Sequence, residues 1–84
     1  MNELLLLLRS KLKVQILAKL NEESLTPVML AKILKKPRAS VSRTIGELNK
    51  KGLVKCINPD KDRWRFYKIT NVGKNGLKSV RRFT

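Results

Sequence analysis

The chain has 84 residues, 42% of them hydrophobic, with one cysteine and no histidine. That length makes a single domain, 1–84, near the lower limit of unaided folding, with a core that must be mostly aliphatic because aromatics are few. Twenty Lys and Arg against six Asp and Glu give a net charge of +14, which attracts polyanions, nucleic acid first and an anionic membrane second. The lone Cys56 excludes an internal disulfide and points to the cytosol. With no His and with scattered acids, no zinc ligand set and no Ser-His-Asp or Cys-His constellation is available. The expectation is no catalysis, no metal and no cofactor.

Residues 3–21 read as the first helix. Leu5, Leu8, Leu12, Ile16 and Leu20 form one apolar stripe at three- and four-residue spacing. Leu7, Val14 and Ala18 form a second on nearly the opposite face, so this helix is deeply buried or shared with a partner. The five-leucine run Leu4–Leu8 is too short for a membrane span and lacks the basic leader of a signal peptide. After a polar connection, Thr26 and Pro27 mark a helix start: Thr caps the free amides and Pro suits the first helical position. This second helix runs through Leu30, Ala31, Ile33 and Leu34 and ends at Lys35-Lys36-Pro37. A third, about 38–51, carries Val41, Ile45 and Leu48 as one inward stripe and stops at Gly52.

Residues 53–57 read as a strand, Asn58-Pro59-Asp60 as a turn and 63–69 as the returning strand, a hairpin with a basic tip. Alternation puts Trp64 and Phe66 on one face and Arg65, Tyr67 and Ile69 on the other. Such aromatics either pack in a core or interface or stack on unpaired bases. Thr70 caps a last helix, 71–82, weakened by Gly73 and Gly76 and anchored by Leu77 and Val80. The fold class is mainly α with a small β-hairpin, in the order ααα-ββ-α. Charge is uneven along it. Residues 1–37 hold seven basic and three acidic side chains, net +4, and residues 38–84 hold thirteen and three, net +10.

The stretch Leu30 to Val54 resembles the helix-turn-helix of MarR- and ArsR-type winged-helix transcriptional regulators. Leu30-Ala31, Leu34, Val41-Ser42-Arg43, Ile45, Leu48 and Gly52-Leu53-Val54 fall in register with that pattern without a gap. The following segment resembles the wing of the same families, ending in Ile69-Thr70-Asn71-Val72-Gly73. The resemblance covers roughly residues 12 to 76. It departs at Lys35, where these families often place glycine, and at Pro37, where they place a capping Ser. The long dimerisation helices and ligand pocket of MarR-type proteins have no room in 84 residues, so no small-molecule ligand is expected. The recognition helix lacks the Cys of ArsR-type metal sensors.

The resemblance implies a winged helix-turn-helix that reads double-stranded DNA, with its recognition helix at 38–51 in the major groove and its wing at 53–69 on the flanking backbone or minor groove. Arg43 is the candidate base reader, because its fork matches guanine O6 and N7. Glu47 would accept from cytosine or orient Arg43. Gly46 either lets the backbone approach the groove, packs closely on another helix, or has drifted neutrally. Ser40 and Ser42 suit phosphates, and Arg38, Lys50, Lys55, Lys61, Arg63 and Arg65 are the electrostatic contacts. Leu4, Leu7, Val14, Ala18, Leu77 and Val80 are candidates for a homodimer interface. A cytoplasmic, nucleoid-associated location follows. The competing readings are a non-specific architectural DNA binder, a winged-helix protein–protein module and an RNA-binding module.

Overall fold

The structure is a computed structural model that describes residues 10–82. Its elements are α1 (Lys11–Glu22), α2 (Pro27–Leu34), α3 (Arg38–Lys50), β1 (Val54–Cys56), β2 (Tyr67–Ile69) and α4 (Asn71–Arg82). This is the expected mainly helical order with a two-stranded antiparallel hairpin, in which Val54 pairs with Ile69 and Cys56 with Tyr67.

Local chemistry sets most boundaries. Ser10, with extended backbone, caps α1 through its hydroxyl, which accepts from the Lys13 amide at 3.3 Å. A single helix over 3–21 is therefore corrected: α1 begins at Lys11, because a capping serine at the helix entry satisfies an amide that would otherwise lack a partner. Leu4 to Leu8 lie outside the described residues. Thr26, fully buried, caps α2 by accepting from Met29 N at 3.2 Å, and Pro27 occupies the first helical position.

Lys35 closes α2 in the left-handed conformation, φ 56°. The Lys35 and Lys36 amides both donate to Ala31 O, so the helix-to-helix turn is made with lysine where the related pattern has glycine. Pro37 leads into α3 without a side-chain cap. Gly52, φ 77°, ends α3 in the same manner, with Leu53 N donating to Leu48 O at 2.9 Å and Gly52 N to Asn49 O at 3.0 Å. Thr70 caps α4 by accepting from Gly73 N at 3.0 Å while its hydroxyl donates to Gly52 O at 2.6 Å.

The core gathers the apolar stripes. Ile16, Leu17 and Leu20 of α1, Leu30 and Ala31 of α2, and Val41, Ile45 and Leu48 of α3 are buried together with Leu53, Val54, Ile69, Leu77 and Val80. Leu17 falls between the two α1 stripes read from sequence. It is buried because α1 packs against α3, α4 and β2 at once, which widens its apolar arc beyond one stripe. Leu25, just before the Thr26 cap, pairs through both backbone groups with Tyr67 and adds a one-residue third strand beside β2.

The expected strand over 63–69 is shorter than predicted. Only Tyr67–Ile69 pairs, and residues 57–66 form a loop organised by Asn58. Ile57 N still donates to Phe66 O at 2.9 Å, but there the Asn58 side chain takes over, accepting from Phe66 N at 2.8 Å and donating to Trp64 O at 3.0 Å in place of the further ladder bonds of a continued strand. Trp64 and Phe66 therefore do not share a strand face. Phe66 is half-buried, and Trp64 is exposed with φ 58°.

Candidate nucleic-acid interface

Val41, Ile45 and Leu48 lock α3 to the core, and this fixes what the helix turns outward. Arg38, Ser42, Arg43, Gly46, Glu47 and Lys50 are exposed, while Ser40 is half-buried and its carbonyl accepts from Thr44 Oγ1 at 2.8 Å. An added Cβ at Gly46 would meet nothing within 4 Å. Close packing against another helix among the described residues is therefore not the reason for that glycine. Lys55 is exposed on β1, and Lys61, Arg63 and Arg65 are exposed in the 57–66 loop.

An open cleft of about 530 Å³ lies between the start of α2, the first half of α3 and the wing loop. It brings Arg38 and Ser42 of α3 together with Arg63, Trp64 and Arg65 of the wing; Asp62 and Pro27 also line it. Four of the expected DNA contacts, two on α3 and two on the wing, thus share one concavity. Arg43, Lys50, Lys55 and Lys61 do not line this cleft.

The electrostatics of the face are lopsided. Two ion pairs take their cation from α1: Lys13–Glu47, at 3.2 Å, and Lys19–Glu22, at 3.7 Å. Arg38, Arg43, Lys50, Lys55, Lys61 and Arg63 are held by no carboxylate among the described residues. Glu47 is drawn toward half-buried Lys13, so the acceptor role foreseen for it competes with an existing pair. Arg65 is oriented instead by its own loop, its Nε donating to Lys61 O at 2.6 Å. Not all of the carboxyl-terminal charge faces this way. Lys74, Lys78 and Arg81 are exposed on α4, which packs chiefly on α1 and β2 rather than on α3.

Sequence reasoning did not foresee the role of Asn58, and it left open whether Trp64 is packed or exposed. Asn58 carried a signal only as a turn former. Its partners eight and six residues on, Phe66 and Trp64, belong to the folded loop and have no trace in local spacing.

Of the residues expected at a subunit contact, Leu77 and Val80 lie in this chain's own core, 2% and 4% exposed. Val14 and Ala18 are half-buried and pack against that core from its edge. Leu4 and Leu7 are outside the described residues. No three His, Cys, Asp or Glu side chains cluster for a metal among the described residues, and no helix there is long and apolar enough to cross a membrane.

This architecture is the winged helix-turn-helix, of the kind found in MarR-type transcription regulators. Escherichia coli MarR in its apo form superposes with a TM-score of 0.78, at 24% identity over 87% of this chain and 56% of that one. The adhesin competence repressor of Streptococcus pyogenes gives 0.76, at 23% identity over 88% of this chain and 56% of that one. Reduced HlyU from Vibrio cholerae gives 0.75, at 22% identity over 95% and 84%. A mutant of the E. coli protein has the same fold in complex with operator DNA, with a TM-score of 0.76. The chain spans about half the length of the MarR-type structures it matches. No family model matches the chain, and no curated protein matches it.

Proposed function

We propose that this chain is a transcriptional regulator that binds duplex DNA, with α3 in the major groove and the 57–66 wing on the flanking backbone or minor groove. The observation that carries the reading is the exposed outer face of α3. It presents Arg38, Arg43 and Lys50 without carboxylate partners among the described residues, and its Arg38 and Ser42 face Arg63 and Arg65 of the wing across one cleft. On a winged-helix fold these two surfaces follow one duplex, the helix reading base edges and the wing holding phosphates.

In this reading Arg43 reads a guanine edge. Arg38, Ser40, Ser42, Lys50, Lys55, Lys61, Arg63 and Arg65 position the backbone, and Glu47 contributes by holding Lys13 and so orienting α3 on α1. The protein works as a homodimer on a pseudo-palindromic site in the cytoplasm, associated with the nucleoid, and performs no catalysis. With Leu77 and Val80 already covered by their own chain, the subunit contact falls to Val14 and Ala18 and to Leu4 and Leu7.

A salt-titrated binding assay tests the reading, using a DNA site recovered by selection from random sequence, a random duplex and single strands. A preference for the selected duplex of roughly 10³-fold or more is expected. Equal affinity for selected and random duplexes would leave an architectural binder, and preference for single strands or absence of binding would defeat the reading.

A further inference from the structure

Trp64 is the one tryptophan of the chain, and the fold holds its indole in water. Its exposure is 66%, the highest of the exposed large hydrophobic side chains among the described residues. Its φ of 58° lies in the left-handed region that a bulky side chain avoids. The surrounding loop keeps it there. Asn58 Nδ2 donates to Trp64 O and Asn58 Oδ1 accepts from Phe66 N, at 3.0 and 2.8 Å, and Arg65 Nε ties back to Lys61 O. Strain maintained by a specific hydrogen-bond set, around an apolar ring that the core leaves out, points to a ligand for that ring.

The neighbours of the ring say which ligand. Trp64 sits in sequence between Arg63 and Arg65 and lines the cleft whose other wall carries Arg38 and Ser42 of α3. Three guanidinium groups against the single carboxylate of Asp62 make this rim cationic, which suits a polyanion with apolar surface of its own. We propose that Trp64 is a DNA-contacting wedge: its indole packs on deoxyribose and base edges in the groove beside the α3 site. It supplies affinity that salt does not screen, next to arginines whose phosphate contacts salt does screen. The inference rests on the duplex-binding reading above.

The full chain carries its own probe, since indole emission reports on Trp64 alone. Titration with the selected duplex, following both labelled-DNA anisotropy and indole emission, is expected to show the two signals changing together. Trp64→Gly is the decisive variant, because glycine accepts a positive φ without strain and leaves the loop backbone in place. Its thermal midpoint is expected to equal or exceed that of the unaltered chain. Its affinity is expected to fall roughly ten-fold, with an unchanged slope of log affinity against log salt. Trp64→Phe should restore most of the loss, whereas Arg63→Ala should lower the salt slope by about one unit.

Binding by anisotropy with unchanged emission, or with Trp64→Gly binding as tightly as the unaltered chain, overturns the wedge. A Trp64→Gly variant that loses thermal stability along with affinity also overturns it, since the ring would then serve the fold. Stronger quenching by single strands than by duplex assigns the ring to unpaired bases and overturns it likewise. Flat anisotropy with every duplex defeats the duplex-binding reading itself, and the wedge with it.

Discussion

Arg43 differs from its basic neighbours in where it stands rather than in what it is. It occupies the exposed face of α3 one turn before Glu47, whose carboxylate is engaged by Lys13 at 3.2 Å, so no acid among the described residues restrains the guanidinium. Lys61 and Arg63 belong to the wing. Different placement gives different signatures. Arg43→Ala should weaken binding to the selected site by about 1–3 kcal/mol and relax preference at one base pair. Lys61→Ala should weaken selected and random duplexes alike and reduce the salt slope by about one unit. Affinities for single-base variants of the site across a salt series measure both. If Arg43→Ala kept its full sequence preference and changed only the salt slope, Arg43 would be a phosphate contact.

Elements were legible in the sequence where a single residue both stops and caps them. Thr26-Pro27, Gly52 and Thr70 each mark a boundary by local hydrogen bonding, and α2, α3 and α4 fall within a residue of expectation. What was not legible depends on partners far along the chain: the Leu25–Tyr67 bridge, the burial of Leu17, and the loop that Asn58 organises in place of a strand. Gly73 shows the same division. By propensity it only weakens α4, but an added Cβ would collide with the Leu53 carbonyl oxygen and crowd Ile69. Gly73→Ala should therefore destabilise the fold by roughly 1–3 kcal/mol despite its gain in helix propensity. Gly46→Ala, with open space around it, should stabilise by about 1 kcal/mol. Denaturant midpoints compare the two, and a stabilised Gly73→Ala would refute this packing account. At the α2–α3 turn, Lys35 takes a left-handed conformation that glycine adopts freely. Lys35→Gly should raise stability by about 0.5–1 kcal/mol in the same assay, and a lowered midpoint would mean that the lysine side chain itself supports the turn.

At the scale of the whole molecule, the described fold satisfies its apolar groups unevenly. Leu77 and Val80 vanish into the core, Val14 and Ala18 stay half-covered, and the sequence carries five successive leucines from Leu4 that lie outside the described residues. A second subunit covering two or three such side chains per chain would contribute about 1.5–3 kcal/mol for each one fully buried. That is a large share of the few kcal/mol by which a domain this small is stable. The net charge of +14 works the other way, through repulsion between copies. Dimerisation should therefore strengthen with added salt even as DNA binding weakens, because screening reaches the surface charges and leaves the apolar contact intact. Sedimentation of the full chain across a salt series measures the first trend and a binding assay the second. A dimer would set two α3 helices on one face of DNA, about 34 Å apart, so the selected site should show a dyad. Leu4→Glu with Leu7→Glu should give a soluble monomer with the thermal transition of the 10–82 fold retained and much weaker specific binding. An unaltered chain that sediments as a monomer at its highest soluble concentration, with a selected site lacking two-fold symmetry, would make the single domain the unit that reads DNA.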